Sequence, residues 1–109
     1  MIFDAHAHIY PDKIAARAVA ALNGFYDFAC DGDGTYDDYT AACRKGDVGG
    51  FLLLGVATNA HQNRSVNAFV AESVRRAIAE GFRAYGFMGI SQDIDDFEAE
   101  INASCADGL

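Results

Sequence analysis

Three short apolar runs, each followed by an amphipathic stretch, limit what this chain can fold into more than anything else in it. The runs are residues 1–7 (MIFDAHA), 51–56 (FLLLGV) and 82–90 (FRAYGFMGI). The second and third are nearly continuous in apolar character, as expected of strands covered on both faces. Leucine is not a strong strand former, but residues 51–56 are too short and too closely bounded by glycine to make a helix.

The intervening segments read as helices. Pro11 and Asp12 open one over 12–22, where Ile14, Ala18 and Leu22 recur every four residues and Asn23-Gly24 marks the stop. Residues 27–34 (DFACDGDG) read as loop. Thr35-x-x-Asp38 resembles a capping box and starts a second helix, with Tyr36, Tyr39, Thr40 and Cys43 on one face and Gly46 as terminator. The longest helix is expected over 65–80. Its buried stripe is Val66, Phe69, Val70, Ser73, Ala77 and Ile78, while Glu72, Arg75, Arg76 and Glu80 face water and Gly81 ends it. Asp95 or Asp96 opens a last helix in which Phe97, Ile101 and Cys105 share a face. The order β-α-α-β-α-β-α predicts an α/β fold with about three parallel strands and flanking helices.

Composition narrows the partners. The 109 residues suffice for one domain, and 51% apolar with 22% charged residues is ordinary for a globular protein. Sixteen acidic against eight basic side chains give a net charge of −8, which argues against nucleic acid or an anionic membrane as partner. No apolar run approaches the roughly 18 residues of a membrane-spanning helix. No basic start leads into a long apolar segment, so a cytoplasmic address is expected. Cys30, Cys43 and Cys105 are odd in number and lack a CxxC pair; free, buried thiols are expected.

The segment with chemistry in it is Asp4-Ala5-His6-Ala7-His8. Strand side chains alternate with period two, so Asp4, His6 and His8 point the same way. In a closed parallel barrel that way is inward, with position 8 at the carboxyl end of the strand, where barrel active sites form. Two imidazoles on one side of a strand can donate to a single ion, with bonds of about 2.0–2.1 Å for zinc. A helix would need i, i+3 or i, i+4 spacing for the same purpose. The competing reading of so short a motif is two polar residues at an exposed strand end.

Taken with its surroundings, the stretch FDAHAHIYPDK over residues 3–13 resembles the opening of amidohydrolase-related metal hydrolases, the branch that includes aminocarboxymuconate-semialdehyde-type decarboxylases. Gly32-Asp33-Gly34-Thr35, Gly55-Val56-Ala57-Thr58 and Tyr85-Gly86-Phe87 fit the rhythm of that family more loosely. The resemblance implies a TIM (β/α)8 barrel in which His6 and His8 bind a divalent metal, zinc above all. It implies a small carboxylic or cyclic amide substrate, attacked by metal-activated water or decarboxylated without oxidation. The family completes its site with a histidine from a middle strand and an aspartate after the last one. Neither has a matching position here. Residues 1–109 therefore read as the amino-terminal portion of such a barrel, three strands of eight, inactive as an isolated chain and with exposed sheet edges open to self-association. No residue is assigned a catalytic role. The alternative is a non-catalytic α/β interaction module or oligomer subunit whose HxH is incidental or binds metal structurally.

Other residues have plainer readings. Asp4 is a candidate partner for a ligand histidine. His61 follows the second strand on the rim and reads as solvated loop. Asp31, Asp33, Asp37 and Asp38 lack the pattern of an EF-hand and are expected in turns and caps. Gly86 and Gly89 point to close packing, Ser65, Ser91 and Ser104 have no nucleophile-elbow context, and Arg44, Arg64, Arg75, Arg76 and Arg83 read as helix-face charges. Neither GxGxxG nor a Walker-type GK[ST] is present, so nucleotide binding has no support.

Overall fold

The computed structural model of the chain describes residues 1–109. The elements run β1 (Ile2–Ala7), α1 (Asp12–Tyr26), α2 (Tyr36–Lys45), β2 (Val48–Leu54), a 3-10 turn (Ala60–Gln62), α3 (Asn63–Ala79), β3 (Arg83–Phe87) and α4 (Phe97–Ala106). The fold is α/β, and its three parallel strands lie in sequence order, β1-β2-β3. No helix is long and apolar enough to cross a membrane. The chain divides into two compact units: Met1–His8 with Gly49–Leu109, and Ile9–Val48.

In the first unit the core lies between the sheet and α3. The β2–β3 register pairs Phe51 with Ala84 and Leu53 with Gly86, so these four share one face. That face meets α3: a Cβ placed on Gly86 would lie 2.8 Å from Val70 Cγ1 and 3.1 Å from Val74 Cγ2, as well as 2.6 Å from Leu109 Cδ2. The missing side chain is what lets the helix approach. Phe51 and Leu53 are fully buried, and the Phe51 ring lies 5.2 Å from that of Phe82. Leu52, Tyr85, Leu54 and Phe87 occupy the opposite face, where Tyr85 and Phe87 are exposed.

The second unit is α1, the loop after it, and α2. α1 does not stop at Asn23-Gly24 but continues to Tyr26 and ends on Asp27 in the left-handed conformation (φ 53°). Asn23 serves the loop from inside the helix: its Oδ1 accepts from Cys30 N at 2.9 Å. Gly24 is tolerated mid-helix at a cost of about 1 kcal/mol relative to alanine. Thr35 caps α2, its hydroxyl accepting from Asp38 N at 3.2 Å. The reciprocal arm of the capping box is rerouted. Asp33 Oδ1 accepts from Thr35 N at 2.8 Å, and Asp38 Oδ2 accepts from Asp33 N at 3.0 Å. Hydrogen bonds from Thr35, its backbone N first and then its hydroxyl, hold the Asp33 carboxyl below the usual carboxylate range. Thr35→Ala is expected to cost about 1 kcal/mol in urea unfolding and Thr35→Ser nearly nothing.

Several expected surfaces are displaced. Strand β2 begins at Val48, earlier than expected, and β3 ends at Phe87 rather than running to 90. On α3, Ile78 is exposed, Val66 and Phe69 are only half-buried, and the buried row is Asn63, Asn67, Val70, Ala71, Ser73, Val74 and Ala77. α4 is turned over: Phe97, Ile101 and Cys105 face outward while Glu100 and Ser104 are buried. Apolar periodicity picks out the wrong side of α4, while on α3 it finds Val70, Ser73 and Ala77 but misses Asn63 and Asn67, because hydrogen-bonded polar side chains occupy inner positions. The three cysteines are free, but only Cys43 is buried.

Candidate metal site

β1 brings His6 and His8 to a common point. Their Nε2 atoms lie 3.0 Å apart, and their rings meet edge to face at a centroid distance of 4.9 Å. Both side chains are exposed. Two bonds of about 2.0–2.1 Å to one ion separate the donor atoms by about 2.9 Å at a right angle and about 3.3 Å at the tetrahedral angle. The observed spacing falls between these. The same spacing is that of a direct hydrogen bond between the two rings.

One ring is anchored. His8 Nδ1 lies 3.0 Å from the carbonyl oxygen of Leu54, at the carboxyl end of β2. A carbonyl can only accept, so this contact requires the Nδ1–H form of His8 and leaves the Nε2 lone pair facing His6. With His8 neutral, His6 Nε2–H donates to it. An ion between the rings would take both lone pairs, so His6 would move its proton to Nδ1 while His8 is already in the required form. Asp4 does not reach an imidazole through the contact seen here; its Oδ1 accepts from the backbone N of His6 at 3.1 Å.

A third ligand is not gathered: no group of three or more His, Cys, Asp or Glu side chains is placed to hold a metal ion. The two imidazoles, one in β1 and one just past its end, supply two donors of the three or four that zinc normally takes from a protein.

The loops beyond the strand ends are ordered by residues that hydropathy conceals. Asn67 Nδ2 donates to Gly89 O at 3.0 Å, and Asn67 Oδ1 accepts from Gly89 N at 2.8 Å. One turn earlier, Asn63 Oδ1 accepts from Ser91 N at 2.9 Å. Four helical residues advance about 6.0 Å and two extended residues about 6.6 Å, so asparagines at i, i+4 on α3 match backbone groups at i, i+2 in the loop. The second hydrogen of Asn67 Nδ2 goes to Glu100 Oε1 at 2.8 Å. That carboxylate also accepts from Ser104 Oγ at 3.0 Å and lies 3.5 Å from Arg64 Nη1. Arg64 reaches Asp107 too, at 2.7 Å, so it joins α3 to α4 rather than serving as a free surface charge. The available sequence signal was the i, i+4 asparagine spacing inside an otherwise apolar stripe.

His61 sits in the 3-10 turn, exposed, with its charge felt at Asp93. The Asp93 carboxyl is held below its ordinary range, chiefly by the Ser91 hydroxyl and then by the backbone N–H of Ala60. Ser91 thus donates to a carboxylate. No family model, curated protein or solved structure matches the chain.

Proposed function

We propose that His6 and His8 are two ligands of a divalent metal site, zinc being the ion that best suits a pair of imidazoles, and that the sheet forms the first three βα units of an amidohydrolase-type TIM barrel. The observation that carries the reading is the 3.0 Å approach of the two Nε2 atoms while the far nitrogen of His8 is tied to Leu54 O. The sequential parallel strand order supports the barrel, since each crossover adds a strand beside the previous one. When bound, the ion would polarise water or a small carboxylic or cyclic amide substrate. This chain's residues would hold and orient it. The third histidine and the aspartate that the family places on later strands would complete the chemistry.

Cobalt(II) or zinc titration of the metal-free chain tests the site. The expected result is saturable binding weakened about tenfold or more by either His6→Ala or His8→Ala. The absence of a thiolate charge-transfer band with cobalt would separate this from binding at Cys105, which is exposed. Equal affinity in wild type and both variants removes the reading.

A second reading, a non-catalytic α/β module, has one observation in its favour. The Phe3 ring lies 6.2 Å from that of Tyr85, which is on the sheet face away from α3. Strict alternation along β1 would place His6 on the other face, which barrels of the resembled family turn outward. Histidine variants that bind metal as well as the wild type would favour this module, with the 3.0 Å contact serving as a simple hydrogen bond.

A further inference from the structure

We propose that Asn67 is a positioning residue for the histidine pair, acting through the backbone contact of Gly55 with Gly89 and through the Leu54 carbonyl. The proposal deepens the reading of the pair as a metal site and depends on it for its consequence, though not for its test.

The contacts form an unbroken line. Asn67 meets both the N–H and the C=O of Gly89, pairing the oxygen and nitrogen of its planar carboxamide with the two. Gly89 lies directly against Gly55: a Cβ on Gly89 would sit 2.6 Å from Gly55 O, and one on Gly55 would sit 2.9 Å from Gly89 N. Gly55 N in turn donates to Phe87 O at 3.0 Å. The loops after β2 and β3 are therefore fixed to each other backbone to backbone. Leu54, the residue before Gly55, presents the carbonyl that accepts from His8 Nδ1. Asn67 is itself held by Glu100, and Glu100 by Ser104 and Arg64. Every polar atom of the Asn67 side chain has a partner, and the residue is fully buried. A buried amide so completely used fixes the loop it grips, and with it the acceptor that selects one form of His8.

Asn67→Asp preserves shape but replaces the double donor with a carboxylate facing Gly89 O and Glu100. Gly89→Ala disturbs the same line from its other side, without altering α3. The readout is the nitrogen-15 spectrum of the imidazoles in the full, metal-free chain at about pH 8.5, where a free imidazole is neutral. Wild type is expected to show His8 in the Nδ1–H form alone. Both variants are expected to shift it toward the Nε2–H form that a free imidazole prefers, and to weaken zinc binding about tenfold. Glu100→Gln keeps an acceptor for Asn67 Nδ2 and is expected to leave His8 unchanged. A purely structural Asn67 would lower stability without moving the tautomer. An unshifted His8 spectrum in folded Gly89→Ala overturns the proposal whatever Asn67→Asp does. A shifted tautomer in a chain whose wild type binds no zinc upholds the positioning role and removes the metal reading instead.

Discussion

Phe51→Ala is expected to lower the free energy of unfolding by about 3–5 kcal/mol, the range for deleting a large buried aromatic side chain. Phe51 has no exposed surface and lies in the middle strand, with the Phe82 ring 5.2 Å away and Ala84 beside it in register. Both neighbours are held by their own backbone pairing: Phe82 N donates to Ala77 O at 3.0 Å at the end of α3. The surroundings therefore have little freedom to collapse into the void, which places the loss toward the upper part of that range. Small domains have only about 5–15 kcal/mol to lose, so the variant should unfold at a markedly lower urea concentration. Phe51→Leu, which keeps most of the volume, should lose less than half as much. A loss below about 1 kcal/mol for alanine, measured by circular dichroism in urea, would mean that the ring is not enclosed as described.

Asn67→Leu is the second large effect, and pattern reasoning alone would give it the opposite sign. The position lies on the inner side of a helix, fully buried, where leucine would ordinarily add stability. Here the substitution strips the side-chain partner from Gly89 N and Gly89 O together and leaves Glu100 Oε1 with Ser104 and Arg64 alone. Each group stranded away from water costs about 1–3 kcal/mol. The expected loss is about 3 kcal/mol or greater in the same urea assay. Pairing Asn67→Leu with Glu100→Leu should recover part of it, because the pair then removes both sides of a polar contact. A stabilised single variant would show that water takes over these hydrogen bonds.

The two substitutions mark where the sequence is informative about this protein and where it is not. The strands and the parallel order were legible because Phe51 and Leu53 lie in a continuous apolar run bounded by glycine, and few structures other than a covered strand accept that. The α2 start was legible because a threonine cap acts within four residues. The convergence of His6 and His8 followed from strand period alone. Part of the α3 inner face, Val70, Ser73 and Ala77, was legible, but Asn63 and Asn67 on it and the inner face of α4 were not. Their polarity is offset by partners 22 and 33 residues away in the chain, Gly89 and Glu100, and no local window contains both ends of such a bond. Apolar residues then lie outside, with Phe97 60% exposed, since α4 spends its inner face on the carboxylate and hydroxyl that secure Asn67. The stop expected at Asn23-Gly24 failed for a related reason: the asparagine's acceptor is used by Cys30 N, and the helix carries on past it.

The division of the chain has a consequence for how it is made. β1 belongs with β2 and β3, yet the stretch Ile9–Val48 comes off the ribosome between them. At about 5–20 residues per second, the opening strand waits roughly 2–8 s for its neighbour, with Ile2 and Phe3 bare and both backbone margins unmatched. During that interval β1 is a ready client for a chaperone at the tunnel exit, and the two imidazoles lie near each other only as far as a lone strand can hold them.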